Sequence, residues 1–232
     1  MHSFKKIFPL LVILPAVAIS TASPIKLQLR GSDTFDSCEV NDRELRLWRS
    51  SSAEYKILEI AGEKNEATFQ FNGKGGAIGR ISRISHRRSV NHSVVMSGSL
   101  TGIDRKAGKY LWGVYGWVLD KPNWDEANVR HEIYIIQSIN RNETDPLIGT
   151  LDVGGKVYNM HRYRFSGGGY RFKAVAQQLS APTAVATVDL SPFLNYWKNN
   201  GLGDSRYLHE VSWAVELLTS GEHTGALTLR WQ

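Results

Sequence analysis

The sequence predicts an all-β protein, a two-sheet β-sandwich or jelly roll carrying one short helix. Three observations lead there. Apolar and polar residues alternate with period two in many short segments. Glycine is abundant at 21 residues and aromatic residues make up 10% of the chain, as turn-rich sheets require. Only one stretch carries helix start and stop signals. At 232 residues, 42% hydrophobic and 22% charged, the chain suits one large globular domain with its own core.

The strand-like segments follow one another along the chain. Segment 44–49 alternates around Leu45 and Leu47 beside Trp48, and 55–60 and 67–71 follow. The run Asn72-Gly73-Lys74-Gly75-Gly76 predicts a turn. Segments 78–84 and 93–100 alternate again, 110–119 is aromatic-rich, and 120–128 is a polar loop holding Pro122 and Trp124. A strong strand is expected at 131–138, then a hairpin over 149–158 turning at Gly154-Gly155. Segments 163–165 and 170–176 flank a turn at Gly167-Gly168-Gly169, and strands at 184–189, 207–217 and 226–231 complete the set. The helix is predicted after 190, with Ser191 as N-cap, Pro192 in the first turn and Gly201 as the stop. Phe193 and Trp197, four apart, share the face that docks on a sheet.

The N-terminus has the make-up of a secretory signal. Lys5 and Lys6 precede an apolar run at 7–19, and small residues follow at 20–23. Residues 1–22 are therefore expected to be removed, leaving a single domain over 23–232 that is secreted, extracellular or periplasmic. The formal charge of +6 falls to +4 with the loss of the two lysines. Much of the basic excess lies in Arg80, Arg83, His86, Arg87 and Arg88, which suits a solvated strand edge or loop; no nucleic-acid signature accompanies it. Cys38 is the one cysteine, so no intramolecular disulfide can form, and no Cys/His cluster has zinc-ligand spacing. No cofactor, metal, nucleic-acid partner or membrane partner is expected, and the mature chain is expected to be a monomer.

Two acids stand out by position. In 130–136 strand alternation puts His131, Ile133 and Ile135 on one face and Glu132 with Tyr134 on the other. In 211–217 Val211, Trp213, Val215 and Leu217 form an apolar face, opposite Ser212, Ala214 and Glu216. Small neighbours leave room for a ligand, and apolar ones desolvate the carboxyl and raise its pKa. Paired carboxylates with aromatic platforms are what glycosidic cleavage uses. Alternation alone, however, identifies strands and not an enzyme, because exposed strand glutamates are common.

An ordered series of segments from 110 onward adds a family resemblance. Glu132-Ile133-Tyr134-Ile135-Ile136 resembles the Glu-Ile-Met-Ile-Trp nucleophile strand of glycoside hydrolase family 12. Segment 149–158 is similar to that family's next hairpin, Tyr170-Arg171-Phe172-Lys173-Ala174-Val175-Ala176 to its Tyr-Ser-Phe-Val-Ala strand, and 189–196 to its Asp-Leu-Lys-x-Phe-Phe-x-Tyr helix. Segment 211–221 resembles the strand bearing the acid/base glutamate in Gly-Thr-Glu-Pro-Phe-Thr-Gly, and 226–229 the last strand. Leu47-Trp48 resembles the strand that supplies a sugar-stacking tryptophan.

The resemblance implies a jelly roll with a concave substrate cleft and retaining hydrolysis of a β-1,4-glucan: cellulose, mixed-linkage glucan or xyloglucan. It makes Glu132 the nucleophile, expected to stay ionised near Tyr134, and Glu216 the general acid/base, with the raised pKa. Trp48, Tyr134, Trp124 and Trp112 are the expected sugar-contacting residues. Trp112 and Trp117 lie five apart, so at most one of them reaches the groove. Trp197 and Trp213 are expected in the core, and His131 beneath the sheet. The chain departs from the family at Gly116, where an aspartate usually follows the tyrosine, at Ile136 in place of tryptophan, at Leu217-Leu218 in place of Pro-Phe, and at Arg46. Tyr115-Gly116-Trp117 also resembles family 11 xylanases, which share the fold and the two-glutamate mechanism. The lost cleft residues leave a second reading, a non-catalytic carbohydrate-binding or wall-loosening protein on the same scaffold. Asn91-His92-Ser93 and Asn142-Glu143-Thr144 match glycosylation sequons.

Overall fold

The computed structural model of the chain describes residues 25–29, 34–40, 43–63, 66–83, 95–99, 109–140, 142–179, 185–218 and 221–230. The expected signal segment, the first sequon, and residues 86–88 of the basic run lie outside these. In chain order the strands are β1 (Ile25–Gln28), β2 (Phe35–Val40), β3 (Arg43–Arg49), β4 (Glu54–Glu63), β5 (Glu66–Lys74), β6 (Ala77–Arg83), β7 (Val95–Ser99), β8 (Tyr110–Leu119), β9 (Arg130–Ile139), β10 (Leu147–Val153), β11 (Lys156–Arg164), β12 (Tyr170–Ala176), β13 (Val185–Asp189), β14 (Tyr207–Leu217) and β15 (Glu222–Arg230). The helix α1 spans Ser191–Trp197.

Two large sheets face each other. The smaller has the order β1-β4-β5-β15; the larger has nine strands, β10-β11-β12-β9-β8-β14-β6-β3-β2. Strands β7 and β13 pair separately, with β7 beside β15. Neighbours are antiparallel except β9 and β12, which are parallel. This is the predicted two-sheet jelly-roll sandwich. Strands β1 and β2 are additions that alternation did not reveal.

Period-two patterning decides which way each face points. Leu45, Leu47, Ile81, Val114, Ile133, Ile135, Trp213 and Val215 all point from the large sheet into one core, where they meet Leu58, Ile60, Phe69 and Leu229 of the small sheet. Trp112 stacks on Trp213 at 5.3 Å within it. His131 is buried under the sheet against Tyr170 and Phe172, and accepts a hydrogen bond at Nδ1 from the Tyr170 amide. Burial depresses its pKa to about 4, so the ring is neutral at ordinary pH.

Helix α1 lays Phe193, Leu194 and Trp197 into the core, with Trp197 tilted against Phe172. Its start differs from expectation. Leu190 is the N-cap residue, already helical in backbone, and Ser191 is the first helical residue. The carboxylate of Asp189 accepts the Ser191 amide proton instead. Past Trp197 the helix widens into a π turn (Lys198–Leu202), which ends where Gly201 takes φ +114°. The Gly154-Gly155 turn is as predicted: both residues have positive φ, as a two-residue hairpin requires, and Asp152 accepts the Gly155 amide proton. No helix among the described residues is long and apolar enough to cross a membrane.

Candidate active site

The face of the nine-stranded sheet turned away from the core carries both acids, because Glu132 alternates with Ile133 on β9 and Glu216 with Val215 on β14. Register places the rest. Glu216 lies in a cross-strand row with Ile78 on β6, Trp48 on β3 and Phe35 on β2. Glu132 lies in a different row, between Trp117 on β8 and Arg171 on β12, with Tyr163 of β11 beyond Arg171. The two acids are thus offset along the strands, and β8 runs between them.

Tyr134 closes that gap. Its hydroxyl stands 3.1 Å from Glu132 Oε1 and 3.4 Å from Glu216 Oε2. These two oxygens can be no further apart than the two contacts laid end to end, about 6.5 Å. That bound admits the carboxyl spacing of about 5–5.5 Å used for retention. One phenol proton cannot serve two carboxylates at once.

A second tyrosine attends Glu132. The Tyr115 hydroxyl accepts a 2.8 Å hydrogen bond from the Trp117 indole and hydrogen-bonds the Glu132 carboxyl. Tyr115 also meets Tyr134 edge-on at 5.0 Å. Burial has the larger effect on Glu132 and pushes its carboxyl above the ordinary range. The Tyr134 hydrogen bond, the Arg171 charge, the Tyr115 hydrogen bond and the Lys173 charge all pull the other way. The family resemblance implied a Glu132 that stays ionised. In the fold its charge depends on these four partners.

Charged clusters flank the acids on both sides. Toward β3 and β6, Glu210 pairs with Arg46 and, at 3.1 Å, with Arg80, while Arg46 also reaches Glu44. Burial disfavours the Glu210 charge, but Arg80 and Arg46 outweigh it and hold its pKa below the usual value. Arg80 also lies over the Tyr115 ring. Expected on a solvated edge, Arg80 instead stands on the cleft face. Toward β12, a strap at 142–146 crosses the sheet. Its Asp145 holds Arg171 by two hydrogen bonds of 2.9 and 2.8 Å, and Lys173 binds Glu143 and Asp145. Burial opposes the charge of both strap carboxylates; hydrogen bonds outweigh it, and both pKa values are lowered.

The residues expected to touch sugar separate in the fold. Trp48 is exposed, and with Glu216, Arg171, Lys173, Asn142 and Thr144 it lines a cavity of about 780 Å³. Tyr134 sits between the acids. Trp124 packs edge-on against Trp117 at 5.1 Å and beside His209, under Arg130, so it is part of the rim. Trp112 is a correction. It is fully buried on the core face of β8, where it alternates with Leu111, and Trp117 is the tryptophan of that strand on the cleft side. Trp197 and Trp213 are buried as expected. Ile136 belongs to a second apolar cluster beneath the cleft with Leu111, Val175 and Ala214. Gly116 points to the core side, and a Cβ there would stand 2.7 Å from the Glu210 carbonyl. An aspartate at 116 would therefore not face Glu132; Tyr115 does. Among the described residues no group of three or more His, Cys, Asp or Glu is placed to hold a metal.

Sequence reasoning passed over Tyr115, Arg171, Lys173, Glu143, Asp145 and Glu210 as site residues. For Arg171 and Lys173 a signal existed: they alternate with Phe172 and Ala174, which put them on the same face as Glu132 across a parallel pair.

This two-sheet architecture is the jelly-roll fold that solved family 11 xylanases and a Cel12A cellulase also have. Solved structures with the same fold include the family 11 xylanase from Neocallimastix patriciarum, with a TM-score of 0.64 at 13% identity over 90% of this chain and 97% of that one. A thermostable cellulase derived from the Cel12A cellulase of Rhodothermus marinus aligns with a TM-score of 0.69 at 18% identity, over 90% and 98% of the two chains. No family model matches the sequence, and no curated protein matches it significantly.

Proposed function

We propose that the chain is a secreted, retaining endo-β-1,4-glycanase that cleaves a β-1,4-glucan such as cellulose, mixed-linkage glucan or xyloglucan by double displacement. The observation that carries this reading is the Tyr134 hydroxyl in reach of both Glu132 and Glu216, which keeps the two carboxyls close enough for covalent catalysis. Glu132 is the nucleophile in this reading: burial raises its pKa, and the hydrogen bonds from Tyr134 and Tyr115 with the charges of Arg171 and Lys173 are what favour its ionised form. Glu216 lines the open cavity, where a leaving group can depart and water can enter. In the first step Glu132 attacks the anomeric carbon while Glu216 gives its proton to the departing glycosidic oxygen. In the second, Glu216 takes a proton from water as that water attacks the glycosyl ester, and Glu132 is released with the sugar configuration retained.

Reducing-end release from a panel of soluble β-glucans and xylan tests the reading. Wild type is expected to act on at least one polymer, Glu216→Gln to lose about 10²–10⁴-fold, and Glu132→Gln to lose measurable turnover. Full activity in Glu132→Gln would end the proposal. Turnover of xylan alone would favour the xylanase reading, which the hydrogen bond from Tyr115, within Tyr115-Gly116-Trp117, to Glu132 supports. Glucan binding without release from any polymer would favour the non-catalytic reading.

A further inference from the structure

Of the six large apolar residues exposed among the described ones, four project from the cleft side of the nine-stranded sheet: Phe35, Trp48, Leu147 and Tyr163. They fall at its two ends. Phe35 and Trp48 are cross-strand partners on β2 and β3. Leu147 and Tyr163 stand on β10 and β11, Leu147 opposite His161 and Tyr163 opposite Arg171. The catalytic pair lies between these ends.

Tyr163 is ordered although it is exposed. The Arg171 guanidinium lies 5.1 Å from its ring centroid, and Phe165 meets it edge-on at 6.0 Å. Arg171 is itself fixed by the two hydrogen bonds to Asp145. The residue nonetheless stays 45% exposed. A rigid aromatic face costs little entropy to bind against, and its electron-rich surface suits the C–H face of a pyranose. Tyr163 is two strands from Glu132 in the same row, about 10 Å along the sheet. That is too far to touch the sugar joined to Glu132, and near enough for a sugar further along the same chain.

We propose that Tyr163 is a distal sugar-binding platform, which takes a pyranose ring of the bound glycan on the side of the acid pair opposite Trp48. The groove then grips a chain running from β3 to β11, with the 142–146 strap as one wall. The proposal rests on the glycanase reading for the identity of the ligand, and binding is measured apart from turnover.

In a Glu216→Gln background, calorimetric titration with cellotriose, cellohexaose and xylohexaose compares Tyr163 with Tyr163→Ala and Tyr163→Phe. Tyr163→Ala is expected to weaken the better-bound hexaose about tenfold. Cellotriose binding should stay unchanged, and Tyr163→Phe should bind both lengths as Tyr163 does. Adding Trp48→Ala should multiply the loss, since the two rings hold different sugars. Unchanged hexaose affinity in Tyr163→Ala, an equal loss at both lengths, or no binding of any of the three sugars would overturn the platform. Hexaose binding that depends on Tyr163, beside a wild type that releases no reducing ends, would instead uphold the platform and remove the hydrolase.

Discussion

Glu132 shows how far a single carboxyl is shaped by what surrounds it. Buried on a strand, it would hold its proton to higher pH than an ordinary glutamate, and in the proposed mechanism only the ionised carboxyl can attack. Hydrogen bonds from Tyr134 and Tyr115 and the charges of Arg171 and Lys173 oppose that rise. Tyr115→Phe removes one donor and leaves the packing nearly intact. A hydrogen bond to a charged group is worth about 1.5 kcal/mol or more, which corresponds to roughly one pH unit. The donor favours the charged form, so its loss raises the Glu132 pKa. The acidic limb of the kcat/KM–pH profile should therefore move about one unit to higher pH. An unmoved limb with a lower plateau would mean that Tyr115 positions substrate and does not sustain the charge.

At the level of strands, the irregular ones build the site. β14 slips register against β8 between His209 and Ser212, and within that bulge Glu210 adopts φ +55°, a left-handed conformation uncommon outside glycine. The bulge aims Glu210 at Arg46 and Arg80, and its backbone presses on Gly116. Gly116→Ala would force a methyl against a carbonyl that cannot swing away. It should cost about 1–3 kcal/mol of stability, and hence several degrees of melting temperature by circular dichroism. An unchanged melting temperature would mean that the bulge yields freely. The 142–146 strap works differently: it has no regular structure of its own, and is held to β12 by ion pairs through Glu143 and Asp145.

Across the whole molecule, the large sheet separates structural work from chemical work by face. Tryptophans at 112 and 213 stack inside the sandwich, while those at 48, 117 and 124 face the cleft or its rim. Trp112→Ala should therefore cost about 3–5 kcal/mol of stability, seen as a lowered denaturation midpoint. Trp48→Ala should change stability by no more than about 0.5 kcal/mol and instead reduce retention on glucan in affinity electrophoresis. The opposite pattern, a stable Trp112→Ala that no longer binds glucan, would contradict this division between the faces.

Period-two patterning was enough to place most strands, to choose the face of each, and so to put Glu132 and Glu216 on the non-core side. It works because a strand has two faces only, and burying one decides the other. The double-glycine turn and the buried face of α1 were legible for similarly local reasons. Strands β1 and β2 were not: β2 lies at the sheet edge, where Phe35 and Glu39 stay exposed and burial imposes little pattern. Alternation could say only that Trp112 and Trp117 part company, and the sandwich decided that Trp112 goes inside. The partners of Glu132 likewise depend on pairing between distant segments: β9 beside β12 in parallel, β8 between the acids, and a strap drawn across the sheet by ion pairs. Such pairings leave no local trace in the chain, because each is settled by which strands bury one another's faces. Only the tertiary structure could bring Tyr115, Arg171 and Glu216 around one carboxyl.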